Sequence, residues 1–391
     1  MKKYIYVLSA LAALVLLAAC YTWLGWGEEF FAGQSTRPAA TPAPQGPDRV
    51  LMPPVHAPAQ TIVLTVPPNF VDLTGKGFNP LTGLYICEEA AKRRPFAVVM
   101  GNSAESLPQS GISQADIIYE VISEGVVTRL IGIFQDFDTG KIGSVRSARH
   151  YFIDIALDHD AFFVHFGGSP LTFQALRDLR INNINGIQLD GGVRRDNFDS
   201  VVFWRDADRW SRAGMREHSA YTSAANLIRQ AERANYRLEK NDAAAGPFAF
   251  YNSPQSPPGA DEAGKISVTF VANTPVIFEY DAETRKYNRY QGSGARAQID
   301  EETGLQLAVD NVIVQLTTVR AIQGDSEGRR NVAVVGSGEG YLFTNGTVTP
   351  LLWSKASSAE PTVWTCVNGE KLTLNKGSTW ICITNREPVA E

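Results

Sequence analysis

The segment richest in potential chemistry is residues 143–150, which reads Gly-Ser-Val-Arg-Ser-Ala-Arg-His. Arg146 and Arg149 surround a turn of small residues at the predicted start of a helix. The first turn of a helix carries free N–H groups and partial positive charge, so a cation there is unfavourable unless it meets an anion. The pattern therefore predicts either a pocket for a carboxylate or phosphate, or internal pairing with acidic side chains.

The preceding predicted strand supplies candidate internal partners. Asp116, Glu120 and Glu124 are all even-numbered, so they share one face of that strand, close to Arg129. A strand face with three acids near several arginines is polar and is not a core surface. Two interpretations remain open, a buried structural ion network and a ligand site.

On the second interpretation, a polar cleft lies in the first half of the folded chain. Peptidoglycan stem carboxylates are anions of the class that such a cleft would bind. The predicted lining residues are Arg129, Arg146, Arg149, His165, Ser169, Arg205, His218 and Tyr221.

Known catalytic motifs are missing from the sequence. It has no G-x-S-x-G, S-x-x-K, H-E-x-x-H or P-loop pattern, so it identifies no catalytic residue and no cofactor. The residues around His159 and His165 read as a turn and a strand and not as a metal site. Residues 336–340, Gly-Ser-Gly-Glu-Gly, have no helix after them, which favours a hairpin turn or bulge over a dinucleotide loop.

The cysteines are few and widely spaced. Only four occur, with no C-x-x-C pair, which excludes a disulfide scaffold and gives no zinc spacing. Cys366 and Cys382 fall on neighbouring predicted strands of one hairpin, so a disulfide between them is possible in an oxidising exterior. The other interpretation is two separate small apolar residues.

The N-terminus predicts a lipoprotein signal peptide over residues 1–19. Two lysines precede an uncharged stretch that ends in Leu-Ala-Ala-Cys, and Cys20 is the predicted site of lipidation. The alternative is an uncleaved anchor helix in which Cys20 is incidental. Both interpretations place the rest of the chain on the extracytoplasmic face of the cell membrane, because the lysines stay inside.

The remaining sequence predicts a tether and two domains. Residues 20–60 form a proline-rich tether, since seven of the 21 prolines lie within residues 34–60. Residues 79–240 interleave predicted strands and helices, which is typical of an α/β layered domain. Residues 246–385 show repeated short strands and Asn-Gly turns, which predict a mainly antiparallel β domain. The fold class is therefore α+β.

Composition limits the partners. The 391 residues carry a formal net charge of −5 and no basic block, which argues against nucleic-acid binding, because phosphates are met by clustered lysine and arginine. The predicted partners are the membrane, through the lipid on Cys20, and peptidoglycan or a cell-wall synthesis protein.

Several stretches together resemble the YerB-like family of bacterial envelope lipoproteins. They include residues 94–102 (RPFAVVMGN), 108–120 (PQSGISQADIIYE), 142–156 (IGSVRSARHYFIDIA) and 336–343 (GSGEGYLF), and they run in the family's order over about residues 79–384. The resemblance implies a two-domain, membrane-tethered extracytoplasmic protein. It brings no established catalytic residues.

We therefore predict a non-enzymatic envelope lipoprotein that binds a cell-wall component or a wall-synthesis protein. The alternative is a cell-wall polymer hydrolase that uses a carboxylate pair among Asp116, Glu120 and Glu124, or His165 as general base. A third class is a structural accessory subunit, which a large exposed apolar patch would reveal.

Overall fold

The computed structural model describes residues 73–194, 201–241, 246–270, 275–292 and 296–391. The signal peptide, Cys20 and the tether lie outside these residues. Strands dominate the described chain, and its helices are few and short. No described helix has the length and apolarity needed to cross a membrane.

The first half contains eleven strands and six α-helices among the described residues. The strands are β1 Lys76–Phe78, β2 Tyr85–Cys87, β3 Phe96–Gly101, β4 Ile117–Glu124, β5 Val127–Phe134, β6 Ile142–Gly143, β7 Phe162–His165, β8 Asn183–Asn185, β9 Asp190–Arg194, β10 Phe203–Asp206 and β11 Ala220–Thr222. The helices are α1 Glu88–Lys92, α2 His150–Asp158, α3 Pro170–Leu179, α4 Gly186–Leu189, α5 Ala207–Ser211 and α6 Ala224–Arg233.

The second half is built from short strands, with no α-helix in its described part. They are β12 Ala249–Phe250, β13 Asp261–Glu262, β14 Lys265–Thr269, β15 Pro275–Asp281, β16 Lys286–Gln291, β17 Arg296–Ala297, β18 Ala308–Val309, β19 Asn311–Leu316, β20 Val319–Ala321, β21 Arg330–Val332, β22 Gly336–Thr344, β23 Thr347–Lys355, β24 Val363–Cys366, β25 Thr373–Leu374, β26 Thr379–Thr384 and β27 Val389–Ala390.

One eleven-stranded sheet crosses the boundary between the two halves. Its order is β13-β23-β22-β19-β26-β4-β5-β3-β7-β8, with β24 paired to β23. The junction is the parallel pair β26–β4, where Thr379 lies opposite Ile117 and Ile383 opposite Val121. Strands β19 and β26 are also parallel, whereas the other strand pairs of the second half's part of this sheet are antiparallel.

Both faces of the large sheet are buried. Along β3, Phe96, Val98 and Met100 belong to one apolar cluster, while Ala97 and Val99 belong to another. Successive side chains of a strand point to opposite faces, so the two clusters lie on opposite sides of the sheet. This explains why β3 reads as an unbroken apolar run without polar alternation.

Residues 336–340 lie inside strand β22, so the predicted hairpin turn or bulge is wrong. Gly338 and Gly340 allow close backbone approach, because a Cβ on Gly340 would lie 2.4 Å from the Val314 carbonyl oxygen of β19 and one on Gly338 would lie 2.8 Å from the Leu316 carbonyl oxygen. The actual turn follows at Asn345 and Gly346, which both have positive φ (50° and 75°) and join β22 to β23. This is the hairpin geometry that Asn-Gly favours.

Buried His159 is expected to make the fold sensitive to acid. Its Nε2 lies 2.9 Å from the Tyr119 hydroxyl, and burial lowers the pKa of His159 to about 3. Between pH 6.5 and 3 the unfolded chain binds a proton at His159 that the folded chain does not. The free energy of unfolding is therefore largest above pH 6.5 and decreases as the pH falls toward 3. This group alone should cost about 3 kcal/mol of unfolding free energy from pH 7 to pH 4.

Urea unfolding of the wild type and of the Tyr119→Phe/His159→Phe variant at pH 7 and pH 4 measures this contribution. The variant should lose less stability between the two pH values than the wild type. An equal pH dependence in the two proteins would contradict a neutral, buried His159.

Candidate functional site

A polar cavity of about 230 Å³ lies where β3, β4 and β5 end or begin, beside the loop that precedes α2. We call it the anion cavity. The 3₁₀ turn Arg216–His218 contributes one wall, and the 3₁₀ turn Ala104–Ser106 contributes another. The lining residues are Gly101, Asn102, Ser103, Glu105, Ser106, Glu124, Val127, Thr128, Arg129, Arg146 and His218.

Two arginines share one carboxylate at the back of the cavity. Arg129 Nη2 lies 2.5 Å from Glu124 Oε1, and Arg149 Nε donates to Glu124 Oε2 at 3.0 Å. Both arginine side chains are under one-tenth exposed. Burial raises the pKa of Glu124, but the two guanidinium charges outweigh it and hold that pKa below its ordinary value. One negative charge thus faces two positive ones.

The excess of positive charge has its clearest effect on the pKa of Arg129. Burial, and then the neighbouring Arg149 charge, lower the pKa of the Arg129 guanidinium to about 9. It is therefore still a cation at neutral pH. An additional anion at this place would be attracted to a guanidinium that is already partly stripped of water and whose other contacts are the shared Glu124 carboxylate and the Ser147 carbonyl oxygen.

Arg146 forms the front of the cavity. Its guanidinium binds the carbonyl oxygen of Glu217, and its Nη2 lies 3.3 Å from Glu217 Oε2. The Arg146 side chain is 15% exposed, whereas the Glu217 side chain is 81% exposed. Arg146 therefore has a carboxylate partner that is open to solvent, and such pairs contribute little energy.

His218 and Ser106 close the same wall. Their Nδ1 and Oγ atoms lie 2.8 Å apart. Burial, followed by the charge of Arg146, lowers the pKa of His218, so its imidazole is neutral at pH 7. Ser106 can pack this closely against β3 only because residue 101 is glycine, since a Cβ on Gly101 would lie 2.2 Å from Ser106 Oγ.

A buried hydrogen-bond network supports the floor. Asn102 Nδ2 donates to Glu120 Oε1 at 2.9 Å and to Thr128 Oγ1 at 2.8 Å. Glu120 Oε2 pairs with Arg289 Nη2 at 2.5 Å, and both side chains are at most 1% exposed. The floor residues Asn102 and Thr128 are thus fixed by an ion pair that joins β4 of the first half to β16 of the second.

The structure brings three of the eight predicted lining residues to this cavity: Arg129, Arg146 and His218. Arg149 lies behind it, bound to Glu124. His165 is fully buried with its Nδ1 2.7 Å from the Gly167 carbonyl oxygen, and Ser169 accepts from the Thr172 amide as the N-cap of α3.

The remaining two residues of the predicted cleft are also held elsewhere. Arg205 pairs with Asp190 at 2.9 Å and stacks over Phe166 with 4.1 Å to the ring centroid. Tyr221 is fully buried, with its ring beneath Lys141 Nζ at 4.5 Å. A single cleft shared by all eight residues is therefore not what the fold forms.

The three acids of the predicted hydrolase do not form an open carboxylate pair. Glu120 is fully buried on Arg289, and Glu124 is held by two arginines. Asp116 accepts from Asn79 Nδ2 at 2.8 Å and from the Gln135 amide at 2.7 Å, and burial raises its pKa to about 7. The predicted base His165 is inaccessible.

The prediction that Cys366 and Cys382 lie on neighbouring strands of one hairpin is wrong, and of the two interpretations the one with two separate, unpaired residues holds. Cys366 is on β24 and Cys382 on β26, with β23, β22 and β19 between them. Four steps of about 4.8 Å separate them by roughly 19 Å, far beyond the reach of a disulfide. Both are free thiols.

His159 and His165, the two histidines weighed as metal ligands, do not lie in the geometry of a metal site. His159 binds Tyr119, and the adjacent Asp158 pairs with Lys355 Nζ at 2.5 Å. Across the described residues, no group of three or more histidine, cysteine or acidic side chains could hold a metal ion.

Sequence reasoning missed Asn102, Ser106, Glu217 and Arg289. Asn102 directly follows a buried strand, which is where a polar residue can reach a site at a sheet end. Arg289 lies two residues after Tyr287, so both side chains point to the same, inward face of β16. This period-2 spacing is the one sequence feature that indicates the burial of Arg289.

Comparison with known proteins identifies relatives across both halves. The family models described as "Protein of unknown function (DUF3048)", N-terminal and C-terminal domain, match residues 81–237 and 266–381. The Bacillus subtilis (strain 168) protein named "Putative lipoprotein YerB" is 33% identical over 307 residues, covering 78% of this chain and 85% of the relative. The crystal structure of YerB from Bacillus subtilis matches with a TM-score of 0.67 and 31% identity, covering 80% of this chain and all of that one. The chain therefore belongs to the two-domain YerB-like (DUF3048) family.

Proposed function

We propose that this protein is a lipid-anchored, extracytoplasmic binding protein that captures an anionic group of a cell-envelope component in the anion cavity. The single observation that carries the proposal is the charge arrangement of that cavity. The guanidiniums of Arg129 and Arg146 face one space, and Glu124, the less exposed of the two carboxylates among its described lining residues, is already shared with Arg149.

The shape of the site supports binding over catalysis. A volume of about 230 Å³ accommodates one phosphate or carboxylate group with its immediate substituents. Planar guanidiniums hold such groups through paired, charge-assisted hydrogen bonds. The acids that a glycosidase would need are instead engaged in ion pairs or backbone contacts.

The sequence supports the location. The stretch ending in Leu-Ala-Ala-Cys20 places a lipid at the start of the mature chain, and the proline-rich tether gives the folded part reach into the envelope. The relative's name also describes a lipoprotein. The tethered domain can then reach a ligand in the envelope. This ligand is a cell-wall component or a wall-synthesis protein that carries exposed anionic groups.

Replacing Arg146 by alanine is expected to remove most binding of the full-length protein to cell-wall fragments, because the cavity loses its solvent-facing guanidinium. The measurement is co-sedimentation with purified wall fragments. Arg149 is left intact because its charge is paired with Glu124. The matched control is Arg177→Ala, which removes an exposed arginine on α3 that does not line the anion cavity. A folded Arg146→Ala protein that still sediments like the wild type contradicts the proposal.

Glu217→Gln is expected to act in the opposite direction. The exposed Glu217 carboxylate competes with an incoming anion for Arg146. Exposed ion pairs are worth about 0.2–1 kcal/mol, so its neutralisation should tighten binding of wall fragments by roughly 1.4- to 5-fold. The same sedimentation assay over a range of fragment concentrations measures the change. Weaker binding would show that Glu217 contacts the ligand itself.

A further inference from the structure

A second cavity, of about 450 Å³, is lined by one arginine, one histidine, two polar and two apolar residues, with no acid among them. The lining residues are His150, Thr318, Arg320, Asn331, Val332 and Ala333. A third cavity of about 420 Å³ adjoins it, since Thr318 and Ala333 line both. These cavities flank the base of the hairpin formed by β20 and β21.

One ion pair and one peptide bond link a residue of the anion cavity to a residue of the second cavity. Glu124 lines the anion cavity and binds Arg149, and the next residue, His150, lines the second cavity. The hairpin β20–β21 also forms two hydrogen bonds with the turn after Glu124. The Gly125 amide donates to the Gly328 carbonyl at 3.0 Å, and Arg330 Nη2 donates to the Gly125 carbonyl at 3.2 Å. The β4–β5 turn therefore connects the strands that line the anion cavity to the hairpin that lines the second cavity.

The second cavity offers donors to an anion. Arg320 is exposed, and its guanidinium forms no ion pair with a carboxylate of the described chain, unlike Arg329, which binds Asp325 at 2.8 Å. Burial lowers the pKa of His150, while a hydrogen bond that His150 donates to Asn331 and the charge of Asp154 oppose that shift and the charge of Arg149 adds to it. The His150 imidazole is therefore neutral at pH 7 and adds no negative charge that would repel an anion.

We propose that the ligand is a linear envelope polymer with repeated anionic groups, one of which binds in the anion cavity and another beside Arg320 in the second cavity. The inference rests on the proposed function and adds the ligand's class to it. Two linked sites raise affinity because the second group binds from a high effective concentration once the first is held. The shared chemistry is a chain of phosphodiesters or carboxylates.

The test is isothermal titration of the full-length protein with probes of increasing length. The phosphate arm compares glycerophosphoglycerol, which has one phosphodiester, with a six-unit poly(glycerol phosphate), and the carboxylate arm compares a single muropeptide with a linear, glycan-linked oligomer of it. In one arm the longer probe should bind at least tenfold more tightly than its single unit. Arg320→Ala should abolish that gain, whereas Arg177→Ala should leave it intact.

The outcomes separate this inference from the proposed function. Binding of single units without any gain from length, or a gain that persists in Arg320→Ala, overturns the second site and leaves the anion cavity standing. Failure of every probe to bind the wild type overturns both. The arm in which the gain appears identifies the anion as phosphodiester or carboxylate.

Discussion

Arg289→Met is expected to lower the free energy of unfolding by about 3–5 kcal/mol, because it leaves the Glu120 carboxylate buried without its partner. The two side chains meet at 2.5 Å and are at most 1% exposed. The Arg289 guanidinium also lies 4.4 Å from the centroid of the Trp380 ring and donates to Gln298. Chemical denaturation of the full-length protein at neutral pH measures the loss.

The double variant Glu120→Gln/Arg289→Met is the informative companion. It removes both charges, so it should be more stable than Arg289→Met alone, since an uncompensated buried charge costs more than the absence of the pair. Arg296→Met, at an exposed position on β17, is the matched control and should change stability by less than about 0.5 kcal/mol. A single variant as stable as this control would mean that the ion pair does not hold the two halves together.

Glu124→Ala is the second change with a large expected effect. It leaves the buried guanidiniums of Arg129 and Arg149 without a carboxylate, so it should cost about 3 kcal/mol of unfolding free energy in an anion-poor buffer. Added phosphate should recover much of this loss, because an anion can take the place of the missing carboxylate and stabilises the folded state by mass action. Thermal unfolding with and without phosphate measures both effects.

Sodium chloride at matched ionic strength controls for general screening and should restore much less stability than phosphate. Glu217→Ala is the matched variant, since it removes an exposed acid from the same cavity and should leave stability nearly unchanged. If chloride and phosphate rescued Glu124→Ala equally, the space between the arginines would not be a selective anion site.

Local features of this fold are readable from the sequence where a residue type has one strong conformational reason. Ser169 followed by Pro170 predicts the start of α3, and the structure has Ser169 as N-cap and Pro170 as the first helical residue. Asn345-Gly346 predicts a tight hairpin, and it is found between β22 and β23. Each of these depends only on neighbouring residues.

Long-range pairing could not be predicted in the same way. Cys366 and Cys382 are close in sequence, yet three strands separate them because β26 leaves its sequence neighbours and inserts between β19 and β4. Glu120 finds its partner 169 residues away, in the other half. Nothing local to either residue specifies that contact, since it depends on the parallel pairing of β26 with β4.

The candidate site shows which contacts can be predicted from the sequence and which cannot. The pairing of Arg149 with an acid of the preceding strand was one of two interpretations that the sequence left open, and the structure places Arg149 on Glu124. His165, Ser169, Arg205 and Tyr221 are polar residues in the right half of the chain, but they serve buried, capping or stacking contacts. Residue type alone does not distinguish a polar side chain that supports the fold from one that faces a cavity.

Calorimetric titration of the purified full-length protein with inorganic phosphate tests the central claim most directly, because it asks only whether the anion cavity binds an anion. We expect the wild type to bind phosphate, at least tenfold weaker binding in Arg146→Ala, and unchanged binding in Arg177→Ala. A tenfold loss corresponds to about 1.4 kcal/mol, which is within the range of one charge-assisted hydrogen bond. Equal phosphate binding by the wild type and Arg146→Ala, or no binding by the wild type, would contradict the assignment of this cavity as an anion site.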